Sequence, residues 1–172
     1  MSKPETLFET RWIRFHRRGH WDYVVRPHSD RCVGILAIDD EDHILLVEQF
    51  RIPIQQRAVE LPAGIVGDED EFRGEPLAAT AARELLEETG YRAGRMVELI
   101  SSPTSAGLTS EFMHLFLATG LTRETEGGGT HGEDIMVHRV PLGGIRAWLH
   151  EQQRQGKTID CKIHAALWLA GR

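Results

Sequence analysis

The 172-residue sequence predicts an α+β domain built on a mixed β-sheet, and three observations predict it. Apolar runs of strand length are spread along the chain. A single helical segment stands among them near the middle. Two more segments with helical spacing come last. Strands, one helix, more strands and two helices favour a mixed sheet over a regular strand–helix alternation.

The N-terminal strands are Trp12–His16 and Trp21–Arg26, on either side of "HRRGH". Residues 1–30 therefore read as a β-ribbon, a layer apart from the domain of residues 31–172, free to pair with its own domain or with a second subunit. Val33–Ile38 and Ile44–Gln49 follow, joined by the polar "IDDEDH" as in a hairpin. Ala78–Thr89 is the helix, with Pro76 near its start and Gly90 just past its end. Val97–Ser101, Phe112–Ala118 and Ile135–Val140 read as further strands. Leu142–Gln155 gathers Ile145, Trp148 and Leu149 on one helical face, and Asp160–Ala170 gathers Ile163, Leu167 and Ala170.

Composition narrows the function. No apolar run approaches the ~20 residues of a membrane span, and the N-terminus has no secretory apolar segment, so no membrane partner is expected. Cys32 and Cys161 are too far apart to suggest a disulfide framework, which points to a reducing cytoplasm. A net charge of −6 argues against nucleic-acid binding. That charge is uneven: residues 11–31 are rich in Arg and His, while residues 68–88 hold eight acids against two arginines. Acidic and basic zones suit an anionic ligand arriving with metal; on charge alone, solvated surface is the plainer explanation.

The stretch "ARELLEETGY", residues 82–91, puts Glu84 and Glu88 one helical turn apart, with Glu87 beside them. Carboxylates at that spacing repel, and near a helix C-terminus they sit at the wrong end of the dipole. A hard divalent cation, which takes carboxylate oxygens and substrate phosphates, would offset both costs. An acidic solvated face with Arg83 paired to a neighbour is the alternative.

The flanks favour metal. "ELPAG" precedes the helix, Glu75 stands before Arg83–Glu84, and Glu87, Glu88, Gly90 and Tyr91 complete the pattern. This resembles the Nudix box of the Nudix hydrolases. "EPLAATAARELLEETGY" matches at every fixed position, whereas "IVGDEDEFRG" between Gly64 and Glu75 is about five residues longer than the box. The resemblance implies a Nudix fold, an α/β/α sandwich. It implies Mg²⁺ or Mn²⁺ held by Glu84, Glu88 and the Ala63 carbonyl, with Glu87 close by. It also implies that Arg83 orients the glutamates and that Glu75 ties the loop to the helix.

Outside the box, "VEQFRIP" followed by "ELPAG" resembles the ADP-ribose pyrophosphatase group, in which the residue matching Arg51 reaches the substrate phosphates. Glu60 is either a loop-bonding acid or a substrate contact. The N-terminal ribbon resembles the swapped strands of dimeric ADP-sugar pyrophosphatases, which implies a homodimer with Trp12 and Trp21 as base-stacking candidates and Asp22 and Arg26 near the pocket. "SPTSAGLTSE" matches that group in part, offering Gly107, Leu108 and Glu111 for the ribose or terminal sugar and leaving the sugar open. In "GGGTHGEDI" the resemblance makes Glu133 the catalytic base or a metal contact, with Asp134 and His131 as lesser candidates. The implied reaction is metal-dependent hydrolysis of ADP-ribose or a related nucleotide sugar to a nucleoside monophosphate and a sugar phosphate. The alternatives are another Nudix substrate, such as GDP-mannose or an oxidised nucleoside triphosphate, and a non-catalytic nucleotide sensor.

Overall fold

A computed structural model describes residues 3–67, 70–129, 132 and 134–172. In chain order the elements are β1 (Glu5–Glu9), β2 (Arg14–Arg18), β3 (Trp21–Val25), β4 (Arg31–Ile38), β5 (His43–Arg51), β6 (Gln56–Glu60), β7 (Ala63–Ile65), α1 (Leu77–Thr89), β8 (Tyr91–Pro103), β9 (Phe112–Arg123), β10 (Met136–Pro141), α2 (Ile145–Arg154), β11 (Thr158–Ile159) and α3 (Cys161–Leu169).

The main sheet runs β11-β6-β5-β4-β9-β8, with β10 added to β5 and β7 to β4. The β4–β9 and β6–β11 pairs are parallel and the others antiparallel, so the sheet is mixed, as the sequence predicts. Side chains alternate across a strand. Val33, Ile35 and Ala37 of β4 therefore join Leu45 against Ala81 and Leu85 of α1. Leu36, Ile38, Ile44 and Leu46 leave the opposite face and pack on Leu149 of α2 and on Ile163, Ala166 and Leu167 of α3. The result is an α/β/α sandwich. β4 is covered on both faces, which explains its unbroken apolar run.

Helix α1 begins at Leu77, one residue before the predicted start, and its packing stripe includes Thr80, Ala81 and Leu85, while Ala78 is exposed. Its C-terminal carbonyls, which lack intrahelical partners, are taken up by the segment after β9. The amides of Gly128 and Gly129 donate to the Glu88 and Glu87 carbonyls at 2.8 and 3.1 Å, and the Glu124 amide donates to the Gly90 carbonyl at 2.8 Å. Gly90 has φ 79° and ends the helix in the left-handed region, and a Cβ there would strike the Thr125 carbonyl. The glycine-rich segment is thus stitched to the end of the helix that carries the box glutamates.

The ribbon is a three-stranded antiparallel sheet, β1-β2-β3, rather than two strands. It meets the body where the Val24 amide donates to the Leu108 carbonyl at 2.8 Å and where Arg26 pairs with Glu111 at 2.5 Å. Phe8, Trp12 and Trp21 remain more than half exposed.

Candidate active site

The candidate site forms where β7 meets α1. The Ala63 amide donates to Glu88 Oε2 at 2.9 Å, so strand β7 is tied to the last turn of the helix. A Cβ on Gly64 would collide with the Glu84 carboxyl, so glycine leaves that carboxyl room to lie against the strand. The glycine of the box is therefore Gly64. The longer connection to Glu75 is absorbed downstream, where the short 3₁₀ turn Asp70–Phe72 brings Phe72 under the guanidinium of Arg83, 4.1 Å from its ring centroid.

Arg83 organises the acids. Its Nη1 lies 3.0 Å from both Glu84 Oε1 and Glu87 Oε2, and its Nε lies 3.4 Å from Glu75 Oε2. The Thr80 hydroxyl donates to Glu75 at 2.9 Å, which ties the loop acid to the helix. Burial works against the charge of Arg83, but Glu84, Glu87 and Glu75 outweigh it and raise the guanidinium pKa. Glu88 is 5 % exposed, an uncommon state for a carboxylate.

A cavity of about 290 Å³ opens beside this cluster. Of the residues singled out in the sequence, Ala63, Glu84, Glu88, Arg51, Glu60, Arg26 and Glu111 line it. Arg51 and Glu60 are paired across its wall at 2.8 Å. Gln49, Cys32 and Lys162 also line it and were not anticipated. The period-2 alternation of β5 could have found Gln49, which shares a strand face with Arg51. Lys162 comes from the first turn of α3, where no local motif marks it. Burial pushes the Cys32 thiol up to about 12, so it lines the wall as an un-ionised group.

Other expected residues lie elsewhere. Glu87 stays with Arg83 outside the cavity lining. Trp21 donates its indole N–H to the Gly107 carbonyl at 3.2 Å, and Leu108 is bonded to β3, so this group forms the seam between ribbon and loop. Trp12 is 66 % exposed under Arg11, 4.2 Å from its ring centroid. None of these four lines the cavity within the single chain. Glu133 and His131 lie outside the described residues. Asp134, beside them, pairs with Arg57 at 3.0 Å.

Among the described residues no three His, Cys, Asp or Glu groups are gathered closely enough to grip one ion. The donor set nevertheless fits a hard cation in chemistry: the Glu84 and Glu88 carboxylates and a strand carbonyl on one cavity wall. The vacant Cβ position of Gly64 keeps the Glu84 carboxyl against the cavity wall.

Comparison with known proteins decides the family. The NUDIX domain model matches residues 28–157. The chain belongs to the Nudix family. Among curated relatives, it is 40% identical over 111 residues to a methanol dehydrogenase activator of Bacillus methanolicus, covering 64% of this chain and 57% of that one. It is 42% identical over 93 residues to an ADP-ribose pyrophosphatase of Bacillus subtilis (strain 168), covering 53% and 46%. It is 32% identical over 154 residues to a GDP-mannose pyrophosphatase of Pectobacterium atrosepticum, covering 85% and 78%. The matches to the first relatives span about half of their length. A solved structure described as an ADP compounds hydrolase shares the fold, with TM-score 0.73 at 21% identity over 99% of this chain and 93% of that one.

Proposed function

We propose that the protein hydrolyses the pyrophosphate of ADP-ribose or a related nucleoside diphosphate sugar, releasing a nucleoside monophosphate and a sugar phosphate. The observation that carries this reading is the junction of β7 and α1. There Gly64 abuts Glu84, and Ala63 bonds Glu88, on the wall of the cavity that also holds Arg51. Glu84, Glu88 and the Ala63 carbonyl would hold Mg²⁺, or Mn²⁺ in its place, with Glu87 kept in reserve by Arg83. A bound divalent ion supplies charge neutralisation of the pyrophosphate and a water of lowered pKa. Arg51 faces the phosphates with a planar fork suited to them. Arg83 holds the carboxylates in place, and Glu133 takes the proton or contacts the metal. Arg26 and Glu111 lie along the wall for the sugar.

Residues 1–30 serve as a dimerisation ribbon on the domain of residues 31–172 in this reading. The exposed Phe8, Trp12 and Trp21 suit burial against a second copy, where the two tryptophans complete a base pocket and Gly107 and Leu108 lie beside it for the sugar. Both cysteines are free thiols, which suits a reducing cytoplasm. No helix among the described residues is long and apolar enough to cross a membrane.

Incubation with ADP-ribose and Mg²⁺ should release AMP and ribose 5-phosphate, and chelation should stop it. Binding without turnover under any divalent metal would leave only a sensor. GDP-mannose is the second substrate to assay, because the GDP-mannose pyrophosphatase relative aligns over most of this chain.

A further inference from the structure

Helices α2 and α3 enclose a second cavity, of about 940 Å³, on the outer face of the molecule. Its floor is apolar and includes the buried Leu149 and Leu167. Its rim carries two guanidinium groups and two imidazoles. Arg146 and His150 stand one turn apart on α2, His164 stands one turn before Trp168 on α3, and Arg172 follows the end of that helix.

The side chains of Arg146, His150, His164 and Arg172 make no hydrogen bond or ion pair with another described residue, as is also true of Arg18, Arg31 and Arg95, but here four such groups border one cavity. The chain as a whole carries a net charge of −6, yet Asp42 is the one acid on this wall. Trp168 is 79 % exposed, the highest value among the large apolar side chains left open.

We propose that this cavity binds a nucleoside phosphate, separately from the cavity at α1. Guanidinium groups match phosphate oxygens in geometry and charge. A flat base stacks on an indole face. A bare anion would leave Trp168 in water, and an apolar ligand would leave four basic groups unmatched; a nucleotide answers both. The volume lies within the range of small-molecule sites. Helix α3 borders both cavities, through Lys162 at the first and through His164 and Leu167 at the second.

The test is calorimetric titration of AMP, with EDTA present, into Arg51→Ala protein, whose first cavity has lost its phosphate-facing guanidinium. One equivalent should bind. Adding Trp168→Ala or Arg146→Glu, both at exposed positions, should weaken it about tenfold or more. No binding to Arg51→Ala protein, or equal affinity in all variants, would overturn the proposal. So would inorganic phosphate binding as tightly as AMP, since the base would then contribute nothing. Self-association that disappears in Trp168→Ala, with no AMP binding, would assign the face to a second copy instead. Each outcome is independent of whether the protein turns over ADP-ribose.

Discussion

Strand β5 separates two ionic clusters of opposite construction. On one strand face Glu48 is 2 % exposed and meets Arg57 at 2.6 Å, Lys157 at 2.7 Å and His138 at 2.8 Å, and Arg57 reaches on to Asp134. Next along the strand, Gln49 and Arg51 face the cavity at α1, where Arg83 is shared among Glu75, Glu84 and Glu87, with Glu88 buried beside them. Strand β6 divides in the same way, with Arg57 going to Glu48 and Glu60 to Arg51. The first cluster balances its own charge: two acids face two fixed cations and an imidazole. In the second, one guanidinium is shared among three acids, and Glu84 and Glu88 line a cavity. Carboxylates crowded on a cavity wall depart from local consistency, and such departures gather at functional sites. In the proposed function the α1 cluster holds the cation, while the Glu48 cluster is a structural tie.

The comparison can be broken most severely at Glu88. Glu88→Gln keeps an acceptor for the Ala63 amide but removes the charge. It should lower kcat/KM for ADP-ribose about 100- to 1,000-fold while leaving the melting temperature nearly unchanged. Gly64→Ala comes next: the new Cβ must displace the Glu84 carboxyl, so activity should fall about a hundredfold, again with little loss of stability by denaturant titration.

Glu48→Gln should do the opposite. It leaves the half-buried Arg57 and Lys157 without their acid, which costs about 2 kcal/mol in urea unfolding, with turnover per folded molecule retained. Its pH dependence is a further check. Burial opposes ionisation of Glu48, but hydrogen bonds from Lys157, His138 and Arg57 prevail and hold its pKa down at about 2, against an ordinary 4.5. Stability from a depressed carboxylate is complete above the unfolded value and lost as pH falls through the folded one. The stability gap between wild type and Glu48→Gln should therefore narrow between pH 4.5 and about 2. The smallest effect is expected at Arg51, where Arg51→Ala should raise KM about tenfold in steady-state assays.

Much of the fold was legible because its elements follow simple periods. β4 reads as a buried strand, and α1 is bracketed by Pro76 and Gly90. β1, "ETLFE", escaped because it is exposed along its whole length and has no buried face to create an alternation. β7 is three residues long, too short to show a period. β8 and β9 extend well beyond their apolar centres because their pairing with each other carries mixed positions along. In the site, Arg83 and the glutamates of α1 were legible from spacing, whereas Gly64 was not, because ten residues rather than five separate it from Glu75 and only its contact with Glu84 marks it. Phe72 under Arg83, and Lys162 from α3, were not, because only the tertiary fold brings them there.

Direct titration with Mn²⁺ shows which cluster holds a divalent ion, without any assay of turnover. Wild-type protein and Glu48→Gln should bind the ion with similar affinity, whereas Glu88→Gln should bind it much more weakly. Equal binding by Glu88→Gln and wild type, or loss of binding in Glu48→Gln alone, would show that the α1 cluster does not hold the ion.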